Sequence, residues 1–276
     1  MCKEKYINPF TDFGFKRLFG TEANKDILIH FLNTIIEDEE PIVDVTYMNP
    51  EKLGLRPQDR RAIFDIYCTT KTGHFIVEMQ NARQEYFIHR CIYYTAMAIS
   101  DAAKKGDWDF KLPHIYTIAI LNFEAPEYDN DPAFKHVSRL CDTTTLKVVS
   151  KTPTLIFLEM KKFEKDIDQL ETLTDKWMYV IKNLYLLDSY PTRLKEAIFQ
   201  KLFEEAKISA FTDAERWEYE DSLKVLRDNV NIVDTAVNEG RKEMSVEIAR
   251  SMKQDHIPIA TIMRYTNLTE DEINRL

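Results

Sequence analysis

RAIFDIYCTTKTGHFIVEMQ, residues 61–80, holds two runs of β-branched and aromatic residues around the short polar tip Lys71-Thr72-Gly73. Two such runs so closely joined predict a hairpin of 62–69 and 74–80. Side chains alternate faces along a strand. Arg61, Ile63, Asp65 and Tyr67 therefore share one face of the first strand, and His74, Ile76, Glu78 and Gln80 share one face of the second. A Lys71-Thr72 loop sets Asp65 opposite Glu78, and a Thr72-Gly73 loop sets Asp65 opposite Gln80. Either register gathers Asp65, Glu78 and Gln80 on one face.

Two carboxylates so placed repel each other. A divalent cation turns that repulsion into a binding site, because Mg²⁺ takes oxygen ligands and needs only one or two protein carboxylates. The spacing alone also fits a second reading, a solvated sheet face on which Asp65 and Glu78 pair with Arg61 or Lys71.

Outward from the hairpin, residues 1–163 alternate helix and strand. Ile27, Phe31, Leu32 and Ile35 mark a helix over 24–36, stopped by Pro41. A strand is expected at 42–47 and a helix at 85–104, where Phe87, Cys91, Tyr94 and Ala98 recur at three and four. The apolar run 114–122 suits the centre of a sheet. Further strands are expected at 136–140 and 154–159. Residues 164–276 carry helical spacing almost throughout, with Thr212/Glu215 and Thr269/Glu272 as capping pairs and Asn267 as a C-cap. The expected division is an α/β core over 1–163 and an all-α C-terminal region over 164–276, with a packing or oligomerisation role.

The chain has 276 residues, 44% hydrophobic and 12% aromatic, with 6 Gly and 10 Pro. This composition excludes disordered and collagen-like chains. The net charge of −9 offers no basic domain or tail. Cys2, Cys68, Cys91 and Cys141 form no CxxC, which fits reduced, packed thiols. No apolar run approaches the ~18–20 residues of a membrane span, and the N-terminus lacks a signal-peptide stretch. A cytoplasmic protein without membrane association is expected. The six His show no HxxxH or HExxH spacing, no GxGxxG or P-loop occurs, and Asp129-Asn130-Asp131-Pro132 lacks the EF-hand spacing and reads as a turn. Trp177 and Trp217 read as core or interface anchors.

The pattern Phe64-Asp65-Ile66 … Ile76-Val77-Glu78-Met79-Gln80 resembles the PD-(D/E)XK nuclease superfamily, in particular its branch of PD-(D/E)XK nuclease family transposases, the Rpn-type recombination-promoting nucleases. Three further stretches carry the resemblance: DFGFKRLFG at 12–20, RCIYY at 90–94, and Phe157-Leu158-Glu159-Met160 followed by Lys162-Phe163. Together they cover roughly residues 6–163.

The resemblance implies a restriction-endonuclease-like core, a mixed sheet flanked by helices, and hydrolysis of phosphodiester bonds in DNA with Mg²⁺ or Mn²⁺. Asp65 and Glu78 would be the metal ligands, with Asp12 approaching from the first helix unless it is that helix's N-cap. Gln80 would orient the attacking water. It stands where the superfamily usually has Lys, and its neutral amide orients water without offsetting charge. Lys16, Arg17, Arg60, Arg61, Arg83 and Arg90 would steady the nucleic-acid backbone. RNA stays open as a substrate. The second functional reading is a weak or inactive nuclease fold that serves as a DNA-binding or homo-oligomerising module.

Overall fold

Apolar residues at three- and four-residue steps build the first two helices of the computed structural model, which describes residues 4–37, 40–49, 51–52, 62–103 and 109–276. α1 (Asp12–Phe19) buries Phe15, Leu18 and Phe19, and α2 (Lys25–Ile35) buries Ile27, Leu28, Phe31, Leu32 and Ile35. The strand expected at 42–47 is reduced to β1 (Thr46–Tyr47). β2 (Glu51–Lys52) and β3 (Ala62–Ile63) pair only with each other. β4 (Ile66–Thr69) and β5 (Gly73–Gln80) form the expected antiparallel hairpin. Ile66 pairs with Val77 and Thr69 with His74. This is the register of the Lys71-Thr72 loop, and Asp65 stands opposite Glu78.

The single strand expected over 62–69 is broken at Phe64 and Asp65. The cause is local. Continued pairing would give the Met79 N–H to Phe64, but that N–H donates to Asp65 Oδ2 at 2.7 Å. A side chain has taken a rung of the ladder, and the chain leaves the sheet there.

α3 (Phe87–Ala102) connects β5 to its parallel neighbour β6 (His114–Leu121). β7 (Lys135–Cys141) and β8 (Val148–Glu159) are antiparallel to each other, and β8 lies parallel to β6. The sheet order is β1-β4-β5-β6-β8-β7. β6 is central and buried from Ile115 to Leu121, as its unbroken apolar run requires. One face packs α3, through Phe64, Tyr67, Ile76, Ala98 and Ile115. Farther along that face Phe87 and Cys91 meet Ala119, Leu121 and Phe157.

The opposite face carries the main core. There α1 and α2 join α4 (Leu173–Asn183) and α5 (Ala197–Glu205). Trp177 is fully buried, with the rings of Phe19, Phe31 and Phe199 at 5.9, 5.4 and 5.0 Å. Each such side chain contributes on the order of 2–3 kcal/mol through burial. Trp177 is thus the expected core anchor, whereas Trp217 is exposed.

The compact units divide between Leu226 and Arg227. The boundary expected at 163/164 marks where strands give way to helices, but Trp177, Phe199 and Leu223 share one core with Ile118 and Leu158. α6 (Asp213–Gln254) contributes to both units. The second unit also contains α7 (Ile259–Thr266) and α8 (Glu270–Asn274), around Ala249, Ile262, Leu268 and Ile273. Its caps follow the sequence: Thr269 and Glu272 form a capping box, and Asn267 ends α7 at φ 57°. Among the described residues, no helix is long and apolar enough to cross a membrane.

Candidate active site

Asp65 and Glu78 meet where the hairpin leaves the sheet. Glu78 projects from β5 toward α3 and is 5% exposed. Its Oε1 accepts the Asp65 N–H at 3.3 Å, while Asp65 Oδ2 accepts the Met79 N–H. Each carboxylate thus has one oxygen held by backbone and one without a partner among the described residues. Burial, and then the Asp65 carboxylate, push the Glu78 pKa up to about 8; Arg90 and the Asp65 N–H oppose them. The Asp65 carboxyl is raised as well, by burial first and by Asp12 to a lesser extent, against the Met79 N–H, Lys16 and Arg90. Glu78 is thus buried rather than solvated, whereas Asp65 is half-buried and its expected partner Arg61 lies outside the described residues.

α1 delivers Asp12 and Lys16. Thr11, not Asp12, is the N-cap, its hydroxyl accepting from the Gly14 N–H at 3.0 Å. Asp12 lies in the first turn, exposed, and pairs with Lys16 at 2.8 Å. Gly14 permits the close turn that leads into α1, since a Cβ there would stand 2.2 Å from the Asn8 carbonyl oxygen. Asn81, just after β5, ties that turn to the site by donating to the Phe10 carbonyl at 2.6 Å. Among the described residues no three His, Cys, Asp or Glu side chains cluster tightly enough to hold a metal. Asp12 therefore adds negative charge near Asp65 without completing a three-carboxylate set.

α3 delivers Arg90. Its Nη2 donates to Gln80 Oε1 at 2.6 Å and its Nη1 donates to Gln84 Oε1. Its guanidinium lies 5.0 Å from the Phe87 ring and 5.8 Å from the Tyr94 ring. Gln80 Nε2 in turn donates to the Ala82 carbonyl at 3.0 Å. The Gln80 amide is thus held from both ends.

The other expected basic residues fare differently. Arg17 ties α1 to α5 and α6. It donates to the Glu205 carbonyl at 3.0 Å, pairs with Glu215 at 2.5 Å and lies over Phe211 at 4.5 Å. Its guanidinium is engaged in packing between α1, α5 and α6. Arg83 is exposed in the turn after β5. Arg60 and Arg61 lie outside the described residues.

Sequence reasoning missed Gly14, Asn81 and Gln84 as parts of the site. Gln84 carries no signal, but the Phe87, Arg90, Tyr94 spacing of three and four is that of ring–guanidinium neighbours on one helical face.

Two hard carboxylate groups, one buried and one half-buried, facing and mutually repelling, suit a hard divalent cation with its remaining ligands drawn from water and phosphate. A cavity of about 1000 Å³ lies at the other end of β5, lined by Thr46, Gly73, Phe75 and His114, and includes none of these side chains.

No curated protein and no solved structure matches the chain. A family model described as PD-(D/E)XK nuclease family transposase matches residues 9–236, a span that takes in the whole six-stranded sheet and helices α1 to α5. With the mixed sheet, its flanking helices and the facing carboxylates in hand, the chain belongs to the PD-(D/E)XK nuclease family transposases.

Proposed function

We propose that this protein is a metal-dependent DNA endonuclease that hydrolyses phosphodiester bonds, with Asp65 and Glu78 holding Mg²⁺ or Mn²⁺. The observation that carries this reading is the pair of facing carboxylates, Glu78 buried and Asp65 half-buried, each with an oxygen left over, whose repulsion nothing in the fold requires. The cation, when bound, supplies Lewis acidity at the phosphoryl oxygens. The chain supplies the rest. Backbone N–H groups fix both carboxylates, and Gln80 orients water at their edge. Lys16 and Arg83 lie exposed on α1 and the β5–α3 turn, where a phosphate backbone could reach them.

One observation favours the second reading, a weak or inactive fold acting as a DNA-binding or oligomerising module. The Gln80 amide already has both ends engaged. Self-association is supported by the second unit, where Val230, Val233, Val237 and Met244 stand exposed at steps of three, four and seven residues along α6. A cytoplasmic, reducing setting is supported by Cys68 and Cys91, buried free thiols whose pKa burial pushes up to about 12.

The deciding experiment is plasmid nicking by purified protein with Mg²⁺ and with Mn²⁺, beside Asp65→Ala. Nicking that needs both the metal and Asp65 is expected. A folded wild type that never nicks overturns the nuclease reading. A labelled RNA oligonucleotide under the same conditions decides the substrate class.

A further inference from the structure

We propose that Arg90, rather than Gln80, supplies the positive charge of this site, and that Gln80 and Gln84 are the residues that position it. The inference rests on the nuclease reading, whose chemistry needs such a charge. Hydrolysis adds water across one P–O bond, and negative charge builds on the phosphoryl oxygens before the leaving oxygen takes its proton. Two carboxylates beside that phosphate worsen the charge, and a neutral Gln80 offsets none of it.

Three observations single out Arg90. First, its partners are neutral. Both hydrogen bonds from its terminal nitrogens go to amide oxygens, Gln80 Oε1 at 2.6 Å and Gln84 Oε1, so its charge is oriented but not cancelled. Among the described residues, Lys16 and Arg17 instead face carboxylates, Asp12 at 2.8 Å and Glu215 at 2.5 Å, and Arg83 stands exposed in the turn after β5. Second, Arg90 is bound to the strand that carries Glu78, through Gln80, which follows Glu78 by two residues on β5 and so lies on the same face. Third, it is held rigidly. Phe87 and Tyr94 flank the guanidinium, and its buried Nε meets no acceptor among the described residues.

The arrangement also explains the Gln80 amide. Its oxygen faces the guanidinium and its nitrogen faces the Ala82 carbonyl, the orientation an anchor needs. Water orientation by Gln80 then becomes secondary to its hold on Arg90.

The test compares wild type, Arg90→Met, Arg90→Lys and the double variant Gln80→Lys/Arg90→Met. Methionine keeps an apolar stem against Phe87 and Tyr94 without the charge. The readouts are plasmid cleavage, affinity for a labelled duplex in EDTA, and Mn²⁺ affinity by titration calorimetry of metal-free protein. Arg90→Met is expected to slow cleavage about a hundredfold and to change duplex affinity less than about threefold. It should tighten Mn²⁺ binding about tenfold, because a cation no longer competes for the carboxylates. The double variant should return cleavage and Mn²⁺ affinity toward wild type, since a lysine at 80 restores the charge. Arg90→Lys should stay within about threefold of wild type in Mn²⁺ affinity.

Unchanged Mn²⁺ affinity in Arg90→Met overturns the proposal, as does a double variant that behaves like Arg90→Met. A duplex affinity that falls as far as cleavage overturns it too, by making Arg90 an ordinary phosphate contact. Should Arg90→Met not fold, the Arg90→Lys and Gln80→Ala proteins decide. Gln80→Ala must then slow cleavage about tenfold while keeping duplex affinity, and an unimpaired Gln80→Ala overturns the proposal. A wild type that does not cleave sinks the nuclease reading alone, and the Mn²⁺ titration still decides the placement of charge.

Discussion

Two buried glutamates project from the same face of the sheet, and they have opposite surroundings. Glu159 ends β8 fully buried and fully served. It accepts the Ala125 N–H at 2.5 Å, and His136 Nε2 and Lys162 Nζ each stand 2.8 Å away. Tyr128 stacks on His136 at 3.8 Å and steadies the group. Glu78, two strands away on β5, has one backbone N–H and faces a second carboxylate. A buried carboxylate with a full set of donors holds a fold together. One set against another carboxylate opposes the fold until something positive arrives. Burial and residue type do not distinguish the two positions, but the donors around them do.

The contrast can be broken most forcefully at Asp65. Asp65→Ala is expected to slow plasmid nicking about a thousandfold, of order 4 kcal/mol, with the metal-free fold kept. Equal nicking by the variant would make Glu78 and Asp65 as structural as Glu159.

Glu159→Ala should act in reverse. Removing it takes the carboxylate from His136, Lys162 and the Ala125 N–H and costs about 3–4 kcal/mol, a fall in melting temperature of about 10 °C. Little change in thermal unfolding would deny Glu159 its structural role.

Gly14→Ala comes next. The added Cβ would meet the Asn8 carbonyl oxygen at 2.2 Å, so the turn into α1 must open. A cost of about 2 kcal/mol is expected in denaturant unfolding. Nicking should weaken as Asp12 and Lys16 shift, whereas Glu159 is untouched.

The pH dependence sharpens the contrast further. The Glu78 pKa is raised in the folded state to about 8, above its ordinary value of 4.5. Between those two values the native state binds more protons than the unfolded one, so stability is full below about pH 4.5 and falls as pH rises toward about 8. Metal-free wild type should therefore melt progressively lower across that window. Glu78→Gln should melt a few degrees higher than wild type at pH 8 and equal it near pH 5. Mn²⁺ should reverse the order at pH 8 by stabilising wild type alone. A wild-type melting temperature independent of pH would contradict the charge placed on Glu78.

The smallest effect belongs to Lys16. Its pairing with Asp12 is half exposed, and Lys16→Ala should change stability by less than about 0.5 kcal/mol. Its measurable consequence is a shallower salt dependence of duplex binding.

How much of this was readable beforehand follows the range of the interactions. The hairpin, the shared face of Asp65, Glu78 and Gln80, and the buried strand β6 were legible, because strand parity acts over neighbouring residues. The Thr269 capping box and the Asn267 cap were legible for the same reason. The break at Phe64 and Asp65 was not, since it arises when a side chain outcompetes a backbone acceptor across the hairpin. The N-cap of α1 fell one residue from its expected place, at Thr11, because an oxygen one residue earlier reaches the Gly14 N–H. The packing of Arg17 was not legible because its partners Glu205 and Glu215 lie nearly two hundred residues away in sequence.

The chemistry of the chain was written in local patterns: a mixed α/β sheet, a carboxylate pair on one face, a cation-poor site at Gln80. Those patterns need only alternation along a strand and residue type, and both are present in the unfolded chain. Which buried carboxylate is satisfied and which basic side chain keeps its charge became visible only in the folded chain. Hydrogen-bond satisfaction depends on donors that distant segments bring within about 3 Å. Folding gave Glu159 its histidine and lysine, and Arg17 its glutamates. It left Asp65 and Glu78 facing each other, with Arg90 held beside them by two neutral amides.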